Sequence, residues 1–229
     1  MPRKRFMLGY ATAHHEVSVR GVADLHMRTL LDRQQHADPQ GLAEAAGISS
    51  AQWPLFGLLW PAGRQLADVM AVRPLVLNES ILEIGCGLAL ASLVSHRRGA
   101  LVTASDVHPL AGDFLLENLR LNALAPMRYC HGDWGDGVGE RQAPRVAGRF
   151  ELIMGSDVLY ERDDGGTLPR FIQRHAAAVG EVLIVDPNRG QRSAFTRRMG
   201  LMGYELEEVR LPALSESVGP VRLLRYLRG

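Results

Sequence analysis

The stretch Leu82-Glu83-Ile84-Gly85-Cys86-Gly87-Leu88-Ala89-Leu90 is an apolar run that enters a glycine turn and continues into helix-forming residues. Gly85 and Gly87 permit positive φ and close backbone approach, so a nucleotide-like ligand can lie across Gly85, Cys86 and Gly87 at the helix N-terminus. Position 90 is Leu90 where the dinucleotide pattern places a third glycine, which counts against a pyrophosphate and hence against NAD. Glu83 stands two residues before the first glycine, at the end of an apolar strand, where a carboxylate can orient a cationic amino-acid group directly or through water. Asp106 lies 19 residues beyond Gly87, close to the spacing at which an acidic side chain binds both hydroxyls of a ribose. In Gly132-Asp133-Trp134, Asp133 can accept from an adenine amino group and Trp134 can stack beside it. Singly each signal is weak, because G-x-G serves many tight turns and Asp106 could simply cap a helix. Three acidic positions at the ends of three successive strands, all at the carboxyl edge of an open sheet, describe one site for a nucleoside that also carries an ammonium. S-adenosyl-L-methionine is such a molecule.

Those residues need a sheet with its strand ends aligned. From about residue 80, short apolar runs alternate with helix-like segments, the pattern of βαβ units and a mostly parallel sheet. The runs 80–84, 101–105, 127–130, 151–154 and 181–185 are predicted as its first five strands. Apolar spacing predicts helices over 89–98 and 110–123, with Pro109 at the start of the second. Two more runs, 204–211 and 221–227, joined by a Ser/Gly/Pro-rich connection, predict an antiparallel hairpin. Before the sheet, the sequence predicts a short hairpin within 6–19, helices over 23–35 and 41–46, and a further segment over 53–70. This gives a cap region over 1–70 and a catalytic-type domain over 71–229, expected to fold as one unit. Gly135-Asp136-Gly137-Val138-Gly139 reads as a flexible connection.

Composition narrows the class. A net charge of +1 gives no global basic field for sequence-independent nucleic-acid binding, so no nucleic-acid partner is expected, and Pro2-Arg3-Lys4-Arg5 reads as a solvated start. The hydrophobic content of 46% supports a sizeable core, yet no run reaches the roughly 20 apolar residues of a membrane span. No export signal is recognisable. Cys86 and Cys130 are isolated and lack zinc or disulfide spacing, so a reducing cytoplasm is the expected home. The histidines, His14 and His15 included, show no metal-ligand spacing, and no metal is expected.

From about Trp53 onward the chain resembles the seven-stranded class I methyltransferases, and within them methyltransferase family 16, which includes protein-lysine methyltransferases. The glycine motif, Asp133-Trp134 and Asp157-Val158-Leu159-Tyr160 carry the resemblance; Asp186-Pro187-Asn188-Arg189 is similar to electron-transfer-flavoprotein lysine methyltransferases. The resemblance implies an α/β, Rossmann-like seven-stranded, mostly parallel sheet with an antiparallel C-terminal hairpin beside the N-terminal helical cap, and S-adenosyl-L-methionine as cofactor. It places Trp60 near the cofactor, the methionine part on Gly85 to Gly87, the ribose on Asp106, and Trp134 and Ser156 beside the adenosine. Ala89 stands where the family's loop usually has a third glycine. It also implies that Asp157 holds an acceptor ammonium and Tyr160 orients its nitrogen, with a protein lysine as acceptor. The other readings are a small-molecule N-methyltransferase, a cofactor-binding module without catalysis, and an NAD-dependent reductase; Leu90 argues against the last. Oligomeric state is not legible.

Overall fold

A computed structural model describes residues 9–135, 144–212 and 220–229. The basic start at 2–5, residues 136–139 of the glycine-rich connection and most of the connection between the last two strands lie outside the described residues. The chain begins with β1 (Thr12–Val17) and β2 (Leu25–Leu30), followed by a four-residue helix α1 (Leu42–Ala45), a 3-10 helix (Trp53–Gly57) and α2 (Pro61–Val72). The sheet-and-helix body then runs β3 (Ser80–Ile84), α3 (Leu90–Arg97), β4 (Leu101–Asp106), α4 (Ala111–Leu121), β5 (Arg128–His131), β6 (Phe150–Ser156), α5 (Thr167–His175) and β7 (Ala176–Asp186). It closes with α6 (Arg192–Leu201), β8 (Glu205–Leu211) and β9 (Val221–Arg228).

The body is one seven-stranded sheet in the order β5-β4-β3-β6-β7-β9-β8. β3 to β7 run parallel, and β9 lies antiparallel between β7 and β8. Because successive strand residues point to opposite faces, Ile81, Leu152 and Leu183 enter the core shared with α2, α3 and α4, while Leu82, Ile153 and Val182 enter the one shared with α5 and α6. Both faces are thus covered, which is why the central strands read as unbroken apolar runs. Each fully buried Leu or Phe here, such as Leu66 and Phe114, contributes roughly 1.5–3 kcal/mol. The strand order reverses at β3, so β3, β4 and β6 open their carboxyl ends onto a crevice of the kind where such sheets bind ligands.

The N-terminal region departs from expectation. The helix expected over 23–35 is instead the strand β2, paired antiparallel with β1 from Thr12↔Leu30 to Val17↔Leu25. Leu25, Met27 and Leu30 suit either period, and the alternation of buried Leu25, Met27 and Thr29 with the outward His26 and Arg28 is a strand's. Two asparagines one helical turn apart on α4 decide the matter. Asn118 and Asn122 accept the N–H groups of Arg28 (2.7 Å) and His26 (2.9 Å) and donate to the same residues' carbonyls, pairing β2's outer edge to the body. A hairpin with short helical turns therefore makes up most of the region expected to be a helical cap. The segment 53–70 is also broken: Leu58 is already extended (φ −116, ψ 149) past the 3-10 helix, and Trp60, which precedes Pro61, is extended as well (φ −80, ψ 145) where α2 begins.

Candidate functional site

The glycine turn after β3 is built from backbone constraints. Gly85, Gly87 and Ala89 all have positive φ, at 56, 52 and 58. A Cβ on Gly85 would sit 3.1 Å from Val158 Cγ1, and one on Gly87 would sit 2.8 Å from the carbonyl oxygen of Phe56. Alanine holds the third position at some backbone cost, since it initiates α3 in the left-handed region. The turn is locked to β4: Cys86 N–H donates to Ser105 O (3.0 Å) and Gly87 N–H to Asp106 Oδ2 (2.7 Å). Asp106 Oδ1 accepts the N–H of His108 (2.8 Å), and its backbone carbonyl accepts that of Gly132 (2.9 Å).

Glu83 is 3% exposed at the end of β3, and its Oε2 accepts both the backbone N–H (2.9 Å) and the hydroxyl of Ser92 on α3. Burial pushes its carboxyl up to about 7 despite those hydrogen bonds, and the nearby Asp106 pushes the same way. Burial likewise raises Asp106 against the backbone N–H groups that hold it ionised. The Cys86 thiol is pushed well up by burial, with Asp106 and Glu83 adding to it, so it stays a thiol. Two buried carboxylates that make no ion pair among the described residues favour a ligand that brings positive charge and hydroxyl donors.

All eleven residues singled out in the sequence line one cleft of about 490 Å³: Trp60, Glu83, Gly85, Cys86, Gly87, Asp106, Asp133, Trp134, Ser156, Asp157 and Tyr160. Asp133 Oδ1 accepts Gly135 N–H (2.9 Å), which fixes the turn after β5, and Trp134 packs against the α5 and α6 side of the core. Trp60 turns its indole N–H away to Leu55 O (2.7 Å), so it serves the cleft as an apolar wall. Just after β6, Asp157 takes a φ of 52 and donates its N–H to Val185 O (2.8 Å). Tyr160 is 50% exposed, and partial burial, then the charge of Glu161, lifts its phenol to about 12, leaving it a hydroxyl donor.

Several lining residues carried no sequence signal. Gln52, Leu55 and Phe56 of the N-terminal region roof the glycine turn, and Gln52 donates to Glu161 across the cleft. His108 is buried, stacked on Phe56 at 3.7 Å, and pushed down to about 3 by burial, so it is a neutral ring. Ser92 carried no signal either, and although the stretch ending in Arg189 is visible in the sequence, its pairing with Asp157 is not, because each becomes a partner only once strands align. Among the described residues no group of three or more His, Cys, Asp or Glu could hold a metal, and no helix is long and apolar enough to cross a membrane.

The arrangement has solved counterparts. Magnesium protoporphyrin IX methyltransferase from Synechocystis PCC 6803, with bound SAM, matches with a TM-score of 0.56 at 15% identity, covering 73% of this chain and 79% of that one. The fold is that of the class I methyltransferases. By sequence, the chain is 32% identical over 162 residues to the electron transfer flavoprotein beta subunit lysine methyltransferase of Rattus norvegicus, covering 69% of this chain and 60% of that one. It is 26% identical over 191 residues to the protein N-terminal and lysine N-methyltransferase EFM7 of Yarrowia lipolytica, covering 70% and 69%. This chain therefore spans about 60% of the length of the flavoprotein-subunit methyltransferases it matches. No protein-family model matches the sequence.

Proposed function

We propose that this chain is an S-adenosyl-L-methionine-dependent protein N-methyltransferase whose acceptor is a lysine side chain. The observation that carries this reading is one cleft lined together by the glycine turn, the carboxylates of Glu83, Asp106 and Asp133, and Asp157 with Tyr160. The names of the relatives, protein-lysine and protein N-terminal methyltransferases, favour a protein amine over a small molecule. The residues present fit the cofactor: glycines leave backbone space a Cβ would fill, and buried carboxylates suit an ammonium and a ribose. When bound, S-adenosyl-L-methionine supplies a methyl group on a positively charged sulfur.

On this reading Glu83 takes the amino-acid end, Asp106 the ribose hydroxyls, and Asp133 with Trp134 and Ser156 the adenosine, while Trp60 walls the cleft. The acceptor lysine arrives as an ammonium, because its ordinary pKa is about 10.4, and gives a proton to solvent. Asp157 and Tyr160 then hold the neutral nitrogen in line. These residues would present the amine lone pair, and the bound cofactor would supply the methyl group, its sulfur left as a neutral thioether. Alignment supplies most of the acceleration. Two free buried thiols support a reducing compartment, and the same reading places the protein in the cytoplasm.

The test is incubation with radiolabelled S-adenosyl-L-methionine, first with the electron transfer flavoprotein beta subunit and then with a lysate of the host lacking the gene. Label on a lysine of one protein is the expected result. Label confined to small molecules moves the acceptor to a metabolite, and cofactor binding with no transfer at all overturns the enzymatic reading.

A further inference from the structure

Asp157 is not a free carboxylate. Arg189 meets both of its oxygens, Nε on Oδ1 and Nη2 on Oδ2, each at 2.8 Å. Arg189 stands on the turn that follows β7, and that turn is itself held. Asp186 is wholly buried at its root, and Asp186 Oδ2 accepts the Arg189 backbone N–H at 2.9 Å. Asn188 between them takes a φ of 68. Asp186 Oδ1 is buried without a hydrogen-bond partner, an outlay that leaves Asp186 fixing the backbone from which Arg189 reaches. From the other side, the Asp157 backbone is tied to β7 through Val185 O. The fork therefore joins two anchored turns, unlike an ion pair between mobile surface side chains.

Its direction matters as much as its length. Asp157 lines the cleft, whereas Asp186, Asn188 and Arg189 do not. The Arg189 side chain is 45% exposed and that of Asp157 15%. The guanidinium thus reaches the carboxylate from outside the cleft. It uses one N–H per oxygen, and a carboxylate offers about four acceptor positions, so acceptor capacity remains for a group inside.

Resting on the proposed lysine acceptor, we propose that Arg189 is a positioning residue: it fixes the Asp157 carboxylate from behind and offsets its charge, so that the incoming amine meets a hydrogen-bond acceptor without being held as an ammonium. An unpaired carboxylate within about 4–6 Å favours the protonated amine and so opposes the proton loss that transfer needs. With the guanidinium in place, the pair presents oriented oxygens and little net field. The other titratable and charged groups around Asp157 are Tyr160 and Glu161 on its own loop, and Asp186 and Arg192 on the β7–α6 side. Glu83, Asp106, Asp133 and Arg64 line the cleft from β3, β4, the turn after β5 and α2, and Arg162, Asp163 and Arg198 line it from the β6–α5 connection and α6. None of these duplicates the two-point contact that Arg189 makes.

The experiment compares wild type, Arg189→Lys and Arg189→Gln for kcat and KM against pH, using whichever acceptor wild type methylates in the radiolabel test, with cofactor affinity by calorimetry on the same samples. Arg189→Gln should move the acid limb of the kcat profile up by about one pH unit and lower kcat at neutral pH by tenfold or more. Arg189→Lys, which keeps the charge but not the fork, should leave the limb in place and lower kcat/KM severalfold. Cofactor affinity should be unchanged in both. A Gln variant with an unmoved acid limb overturns the proposal, as does a lower KM without loss of kcat, which would make Arg189 a competitor for the acceptor's place. Normal cofactor binding without transfer by wild type overturns both this assignment and the reading it rests on.

Discussion

Two sets of carboxylates lining the cleft are held by different means. At the glycine turn, Asp106 is fixed by backbone N–H groups from Gly87 and His108, and Glu83 by Ser92 on the adjoining helix, all within two neighbouring βα units. After β6, by contrast, Asp157 is fixed by a side chain 32 residues away on a half-exposed turn. A site made of backbone tolerates little change of residue type, whereas a site made of paired side chains can be retuned by one substitution. On the proposed reading, the backbone-held set meets the cofactor and the side-chain-held Asp157 meets the acceptor.

The sharpest challenge to this contrast is Gly87→Val. The new side chain would start 2.8 Å from the Phe56 carbonyl on a residue with a φ of 52, so calorimetry should show cofactor affinity falling about a thousandfold, near 4 kcal/mol. Affinity within tenfold of wild type would mean the turn does not touch the cofactor.

Glu83 gives the site a pH signature of its own. Its carboxyl titrates near 7 in the folded chain and near its ordinary 4.5 when unfolded, so the folded state holds an extra proton between those values. This contribution to stability is complete below about 4.5 and is lost as pH rises through 7, a span of order 3 kcal/mol. In melting curves of the cofactor-free protein from pH 5 to 8, wild type should lose stability relative to Glu83→Gln. Parallel curves would remove the buried-acid account.

Asp157→Ala should lower kcat about thirtyfold, roughly 2 kcal/mol, and leave cofactor affinity within twofold. Equal losses in both would merge the two sets of carboxylates into one functional unit. The smallest effect belongs outside both. Ala123 is exposed with a φ of 50 just past α4, so Ala123→Gly should stabilise the fold by about 1 kcal/mol and raise Tm by a few degrees with turnover unchanged.

The same contrast governs what could be read from sequence. Gly85, Gly87, Glu83 and Asp106 are legible because a strand, a turn with positive φ and a helix leave a local signature, and β3 spans the expected residues 80–84. The Asp157 motif is visible, but its pairing with Arg189 depends on β6 and β7 lying side by side, which no spacing within either loop encodes. The strand at Leu25–Leu30 was read as helix because its outer edge is completed by asparagines 90 and 96 residues distant on α4. Where hydrogen bonds close locally the sequence is explicit; where they close across the chain, only the assembled sheet supplies them.

The position of β9 has a consequence for biosynthesis. β8 precedes β9 in the chain yet pairs with β9 alone, while β9 also covers the edge of β7. As the polypeptide emerges from the ribosome, β7 therefore waits with an open hydrogen-bonding edge, carrying Val182, Leu183, Ile184 and Val185, until residues 221–228 have been made. That interval, a few seconds at ordinary elongation rates of about 5–20 residues per second, is when the nascent chain is most exposed to edge-to-edge aggregation and most dependent on chaperones.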